Sequence, residues 1–190
     1  MYSADNTANR ANRISFYVFN LAGALGVGSH FQEPIDAPRE WIHVVGVVDT
    51  VNQITRIYKN GTLKHVDNYN GTDGPLDQGV FEGLRVQTQT TPDPDTGQQV
   101  PVVISPQRGN APLRMGTRDL VSLWQGGLQG VRIWNRPLTT PEVAGLVTGQ
   151  IPADNLVAQY PLNANTAAAA VDSTGTHSGT ITGATWQPPA

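Results

Sequence analysis

The sequence predicts an all-β protein, a two-sheet antiparallel sandwich with one short helix near residues 140–147. Its 20 glycines and 14 prolines divide 190 residues into short runs, as frequent turns between short strands require. Stretches with the periodicity of an amphipathic helix are nearly missing. Residues 41–49 are almost entirely apolar, which is typical of a strand covered on both faces inside a sandwich.

Strands are predicted wherever apolar, aromatic and β-branched residues form runs between turn residues. A further short strand is expected beside the glycines at positions 23, 26 and 28. The predicted strands cover residues 14–19, 41–49, 55–59, 62–66, 84–87, 100–104, 113–116, 127–134, 156–160 and 180–186.

Two hairpins are predicted from their turn residues. Asn60-Gly61 favours a type I′ turn, because both central residues of that turn need a positive φ. The resulting register places Tyr58 opposite Leu63. Residues 81–105 are expected to form a long hairpin that projects from the sandwich around the polar, proline-containing turn 91–97.

The single helix is predicted from a capping box. Thr139 lies three residues before Glu142, so each side chain can bond to the backbone N–H of the other. Leu138 and Val143 stand at the positions of a hydrophobic staple. The helix is expected to end near Gly149, because glycine accepts the left-handed conformation that follows many helices.

Composition excludes several classes of function. The chain has no cysteine, a net charge of −3 and only 14% charged residues. Thiol catalysis is therefore excluded, and there is no basic field to neutralise the phosphates of a nucleic acid. No apolar run is long enough to span a membrane, and the first residues lack the basic and apolar regions of a signal peptide, so we expect none in this chain. We expect an N-terminal arm at 1–12 and a single domain over 13–190.

Four segments resemble the laminin-G-like branch of the concanavalin A-like lectin/glucanase superfamily, in that family's order. They are the W-I-H-V-V strand at residues 41–49, the I-Y-K-N-G hairpin at 57–63, the strand, turn and capped helix G-G-L-Q-G-V-R-I-W-N-R-P-L-T-T-P-E-V at 126–143, and the closing segment 156–186. The resemblance spans roughly residues 41–186 and implies a jelly-roll sandwich. It says little about the ligand, because this fold serves many functions.

The resemblance also implies a structural calcium site, but this chain lacks the acidic pair that lies near it in relatives. Relatives carry an acidic pair where this sequence has Gln129-Gly130, and calcium requires hard oxygen ligands that are preferably anionic. Asp172 begins the loop D-S-T-G, which could lend oxygen ligands but is more typical of an Asx turn. We therefore expect no cofactor and at most weak calcium binding.

Catalytic patterns are missing from the sequence. The glucanase branch needs two carboxylates on one strand, about 5 Å apart. Here Glu33, Asp36 and Glu40 flank prolines in a predicted loop, so the protein is not expected to be an enzyme. There is no G-x-S-x-G motif. The four histidines have no zinc-like spacing, and the one in the apolar strand is expected to be a packed core residue. They are His30, His43, His65 and His177.

One tryptophan is a candidate for ligand binding. Three others lie in strand motifs and are expected to pack in the core, namely Trp41, Trp134 and Trp186. Trp124 instead lies in a loop between strands, where Arg118 and Asp119 supply a donor and an acceptor for hydroxyl groups. The predicted ligand-binding residues are therefore Arg118, Asp119 and Trp124. The alternative is that the ring of Trp124 packs beneath its loop.

The expected function is a non-catalytic carbohydrate-recognition or adhesion module in a larger surface or extracellular assembly. The alternative is a structural decoration or cement protein of a phage capsid or a surface layer. The expected partners are a glycan or polysaccharide and neighbouring protein chains. An oligomer or larger assembly is expected, because the family pattern begins only near residue 41. The opening strand could come from residues 14–19, from 156–186, or from a neighbouring chain.

Overall fold

The structure is a computed structural model that describes residues 10–19, 26–34, 40–69, 90–101, 103, 111–117, 120–163 and 168–187. Within these residues the chain is mostly β, with antiparallel sheets and one short α-helix. The chain divides into two compact units. Unit 1 draws on Met1–Ala111 and Pro137–Ile151, and unit 2 on Pro112–Arg136 and Pro152–Ala190. The expectation of a single domain over residues 13–190 stays a prediction, because one domain can contain two compact units.

Unit 1 holds the larger share of the described strands. Its elements are β1 (Arg13–Phe19), β2 (Gly26–Gln32), β3 (Val44–Asp49), β4 (Ile54–Lys59), β5 (Thr62–Asn68), β6 (Thr90–Pro92), β7 (Gln99–Pro101) and α1 (Thr140–Val147). Strands β1 and β2 form an antiparallel pair, β3, β4 and β5 form an antiparallel sheet in that order, and β6 pairs with β7. The predicted strand at residues 14–19 and the short strand after it are confirmed.

The β1–β2 pair packs against the three-stranded sheet in unit 1. Ser29 on β2 is fully buried, and its hydroxyl donates to the carbonyl oxygen of Thr55 on β4 at 2.7 Å. The ring of Phe16 on β1 lies against Gly46 on β3, where an added Cβ would come within 2.5 Å of the ring. Glycine at position 46 therefore makes room for an aromatic ring between the sheets. A buried apolar cluster comprises Val18, Val27 and Tyr69.

The hairpin between β4 and β5 forms as predicted. Asn60 and Gly61 have φ values of 49° and 78°, which are the positive angles of a type I′ turn. Tyr58 is opposite Leu63, and the register shifts beyond this pair. The buried Tyr58 hydroxyl lies 3.0 Å from Thr140 Oγ1 on α1, so the hairpin and the helix share a hydrogen bond.

Helix α1 begins and ends where the sequence predicts. The Thr139 backbone N–H donates to Glu142 Oε2 at 2.8 Å, and the Glu142 N–H donates to Thr139 Oγ1 at 3.4 Å, which completes the capping box. Leu138 and Val143 are both buried, as expected of residues in a hydrophobic staple. Gly149 follows the helix with a φ of 82°.

We expect Gly61→Ala to destabilise unit 1 by about 2 kcal/mol in urea denaturation. The φ of 78° is strained for alanine, and its Cβ would lie 3.1 Å from Val147 Cγ2 and 3.2 Å from Ala144 Cα on α1. Gly97→Ala is the matched control, because Gly97 has a similar φ of 70° and no atom within 4 Å of an added Cβ. Equal losses from both substitutions would show that the contact with α1 contributes nothing.

A second hairpin lies inside the predicted range 81–105. Strands β6 and β7 pair with Thr91 opposite Val100. The side chain of Asp93 closes the turn, since its Oδ1 accepts hydrogen bonds from the N–H groups of Asp95 and Thr96 at 3.1 and 2.8 Å. The hairpin is confirmed over residues 90–101, whereas 81–89, 102 and 104–105 lie outside the described residues.

The start of the described chain is attached to unit 1. The Glu33 N–H donates to the carbonyl oxygen of Asn12 at 3.2 Å, and Asn12 Nδ2 donates to the carbonyl oxygen of Pro34 at 3.0 Å. Ala11 is buried. Residues 10–12 of the predicted N-terminal arm are therefore held by the segment that follows β2. Residues 1–9 lie outside the described residues.

Unit 2 consists of short strands in antiparallel pairs. They are β8 (Val131–Trp134), β9 (Leu156–Tyr160), β10 (Ala169–Ala170) and β11 (Gly179–Thr180), with β8 paired to β9 and β10 to β11. The prediction for residues 156–160 is confirmed. Ala158, Tyr160 and Ala170 form the buried cluster, and Val131 and Ile133 pack against it.

Several expectations about strands and core residues are wrong. Trp41 lies before β3 and is 61% exposed, so it is not a core residue. Strand β3 is covered on both faces only in part, because Val44 is exposed, whereas Val48 on the same face packs against the Val18 cluster and Val47 on the other face is buried. Residues 113–116 form no strand, residues 127–130 precede β8, and only Thr180 of 180–186 is in a strand. Trp134 and Trp186 are half-buried.

Candidate functional site

The loop that carries Trp124 is closed by backbone hydrogen bonds within unit 2. Thr117 and Leu123 form an isolated antiparallel bridge, and the Trp124 N–H donates to the carbonyl oxygen of Gly116 at 2.7 Å. The Leu120 N–H donates to Thr117 Oγ1 at 2.9 Å. These bonds join residues 116 and 117 to residues 120, 123 and 124, and they hold the backbone from which the indole extends.

The indole of Trp124 is anchored and still accessible. Its Nε1 donates to the carbonyl oxygen of Gly127 at 3.3 Å, and an added Cβ on Gly126 would lie 2.8 Å from that nitrogen. The ring therefore rests on the Gly126 backbone, where any larger residue would displace it. Trp124 as a whole is 39% exposed. One face of the ring is covered by the Gly126 backbone and the rest is accessible, so ligand binding by Trp124 and packing of its ring beneath the loop both stay predictions.

Exposed apolar side chains surround this tryptophan in the sequence. Val121 is 83% exposed and Leu123 is 70% exposed, while Leu120 and Leu128 are also exposed. Residues 120–130 contain no charged side chain. The segment therefore combines several exposed apolar side chains with an absence of charge.

The other two predicted ligand-binding residues cannot be placed beside this ring. Arg118 and Asp119 lie outside the described residues, between Thr117 and Leu120. The prediction that they bind a ligand together with Trp124 stays a prediction. The structure adds that the ring is held against the backbone of the two glycines that follow it. The Gly-Gly pair at positions 126–127 is the feature of the sequence that could have indicated this contact.

Positions that the family resemblance linked to calcium have other roles. Gly130 has a φ of 64°, which favours glycine over any acidic residue. Both oxygens of the buried Asp172 accept hydrogen bonds from the protein, including 2.8 Å from the Gln159 N–H and 3.0 Å from the His177 N–H. Among the described residues there is no group of three or more side chains that could hold a metal ion.

The loop carboxylates do not form a catalytic pair in the part of the chain that the structure describes. Glu33 Oε1 lies 2.6 Å from Lys59 Nζ and forms an ion pair with it. Glu40 is exposed, and Asp36 lies outside the described residues. The expectation of a non-catalytic protein stays a prediction.

Two histidines that are far apart in sequence meet in unit 1. His30 on β2 and His65 on β5 have ring centroids 4.6 Å apart, with the ring planes tilted by 51°. The His30 backbone N–H donates to His65 Nδ1 at 3.2 Å. The sequence has no signal for this pair, because 35 residues separate its members and their positions depend on how β2 meets β5. His43, expected in the core, is half-buried and lies just before β3.

Burial and neighbouring charge act together on the two rings. Burial, followed by the charges of His30 and Arg13, lowers the pKa of His65 to about 4. Burial, followed by the charges of Arg13 and Arg10, also lowers the pKa of His30. Both imidazoles are therefore neutral at pH 7.

Comparisons of the chain with protein-family models, with curated proteins and with solved structures found no match. Among the described residues, no helix is long and apolar enough to cross a membrane.

Proposed function

We propose that this protein is a non-catalytic recognition module of laminin-G-like type that binds a glycan or polysaccharide through the loop around Trp124. The observation that carries the proposal is the anchored, half-exposed indole. One face of a pyranose ring presents C–H groups, which pack against the electron-rich face of an aromatic ring. Because Trp124 is already held by Gly126 and Gly127, little side-chain freedom is lost on binding.

The proposed fold is the jelly roll to which the family resemblance points. Two features of the described residues support it. In unit 1 an antiparallel pair of strands packs on a three-stranded sheet, with Ser29 bonded to Thr55. In the chain, a strand ending at Trp134 is followed by a short turn and the capped helix α1, which is the order of the laminin-G-like block. A module of this kind would work outside the cell or on the surface of a particle.

We expect Trp124→Ala to weaken binding to a glycan identified on an array by about tenfold or more, because it removes the stacking surface. Trp124→Phe is expected to keep part of the affinity. Trp41→Ala is the matched control, since Trp41 is also exposed but belongs to unit 1. Affinity is measured by titration calorimetry. Unchanged binding by Trp124→Ala, or equal losses in Trp41→Ala, would contradict the proposed site.

A second candidate is a decoration or cement protein of a capsid or surface layer. It is favoured by four exposed apolar side chains within nine residues of the chain, Leu120, Val121, Leu123 and Leu128. A cement protein would bind no glycan on the array and would sediment as an oligomer or with its particle. The double substitution of Val121 and Leu123 by Ser would then abolish assembly, whereas a glycan-binding monomer would contradict this candidate.

A further inference from the structure

The contact between His30 and His65 depends on the protonation state of one nitrogen. His65 Nδ1 accepts the backbone N–H of His30, so the neutral imidazole carries its proton on Nε2. A protonated imidazole has a proton on both nitrogens and accepts nothing. Protonation of His65 therefore converts a hydrogen bond between β2 and β5 into two donors that face each other.

The surroundings of the pair oppose a positive charge. The charge of Arg13 on β1 acts on both rings, that of Arg10 acts on His30, and that of His30 acts on His65. The charged groups on the other elements next to β5 are engaged elsewhere. Arg56 is bonded to Asp49, and Lys59 is paired with Glu33. Glu142 takes part in the capping box of α1. On β5 itself stand Lys64 and the buried Asp67, and neither is among the charges that set the state of His65.

We propose that His30 and His65 form an acid-sensitive contact within unit 1, which joins β2 to β5 when His65 is neutral and is broken when His65 is protonated, so that unit 1 is less stable in acid. The hydrogen bond at 3.2 Å and the ring contact at 4.6 Å carry this inference. It does not rest on the proposed glycan site, which belongs to unit 2. In an acidic environment, unit 1 would therefore become less stable without any ligand being bound.

The direction of the effect follows from the two states of the chain. The pKa of His65 is about 4 when folded, against an ordinary value near 6.5 when unfolded. Between these values the unfolded chain binds the proton more tightly. Stability is therefore complete above about pH 6.5 and is lost as the pH falls towards 4. The lowered pKa of His30 acts in the same direction.

The test is the melting temperature as a function of pH in the wild type and in His65→Asn. Asparagine places an oxygen acceptor near the position of Nδ1 and does not titrate. We expect the wild type to lose about 5 °C more than the variant between pH 7 and pH 4.5. His43→Asn is the control, a half-buried histidine in the same unit, and it should keep the wild-type slope. Equal slopes in the wild type and in His65→Asn would overturn the proposal.

A second measurement serves if His65→Asn does not fold. The ring of His65 in the wild-type chain is titrated by NMR, with the tautomer read from its nitrogen shifts. We expect the Nε2–H tautomer at pH 7, a midpoint below pH 5, and loss of amide protection at His30 over the same range. An Nδ1–H tautomer, or a midpoint at or above pH 6.5, would overturn the proposal.

Discussion

We expect Asp172→Ala to lower the melting temperature of unit 2 by about 10 °C at pH 7, measured by differential scanning calorimetry. The carboxylate is buried and accepts hydrogen bonds from the Gln159 N–H, the Thr174 N–H, the Thr174 hydroxyl and the His177 N–H. Alanine leaves these donors without partners inside the loop that follows β10. These donors are partly buried, and an unsatisfied donor in such a position is more destabilising than a lost contact on the open surface.

Asp172→Asn separates the effect of charge from that of shape. Its amide oxygen can still accept two of the donors, but its NH2 group then faces the Thr174 hydroxyl or the His177 N–H. We expect an intermediate loss. Asp95→Ala in the exposed hairpin turn is the control and should leave the melting temperature unchanged. A loss below about 2 °C in Asp172→Ala would contradict the role of this carboxylate.

The pH dependence of Asp172 differs from that of His65. Burial opposes the charged form of Asp172, but the hydrogen bonds from Gln159, Thr174 and His177 outweigh it and hold its pKa well below the ordinary value. Its stabilising effect is therefore present above about pH 3.9 and is lost only as the pH falls further. Loss of stability between about pH 6.5 and 5 is therefore expected from the histidines rather than from this carboxylate.

We expect Asp49→Ala to destabilise unit 1 by about 3 kcal/mol in urea denaturation, because it leaves the buried Arg56 guanidinium without its partner. Arg56 Nη2 donates to Asp49 Oδ2 at 2.7 Å. Asp49 Oδ1 also accepts the N–H groups of Val51 and Asn52, which close the turn between β3 and β4. The Asp49 carboxylate therefore accepts hydrogen bonds both from the backbone of the turn and from the buried guanidinium of Arg56.

The double substitution Asp49→Ala with Arg56→Leu tests this explanation. It removes the unpaired charge, so we expect it to be more stable than Asp49→Ala alone, although the turn donors of Val51 and Asn52 remain unsatisfied. A double variant that is no more stable than the single one would show that the turn, and not the ion pair, is what Asp49 stabilises.

Short-range features were predictable from the sequence. The capping box of Thr139 and Glu142 and the I′ turn of Asn60-Gly61 both formed where the residues indicated. The physical reason is that each depends on hydrogen bonds or backbone angles within four residues. The pairing of Tyr58 with Leu63 followed, because a two-residue turn determines the register of its hairpin.

Side-chain environment was not predictable in the same way. Trp41 lies in a segment that is apolar in sequence, yet it is 61% exposed, and residues 113–116, which were predicted as a strand, do not pair. Burial of an apolar residue depends on whether another element lies over it, which its own segment does not encode. The loop position of Trp124 indicated exposure, while its anchoring on Gly126 required the folded loop.

The sequence by itself determined the predominance of β structure, the site of the helix, the main hairpin and the location of the candidate tryptophan. Tertiary structure alone decided which polar groups meet. Asp49 and Arg56 lie in the same hairpin. His30 and His65, in contrast, are 35 residues apart in the sequence and meet only in the folded chain. Asp172 likewise accepts a hydrogen bond from the N–H of Gln159 on β9, 13 residues away. Such contacts arise when separate strands pack together, and their strength comes from burial, which exists only in the folded chain.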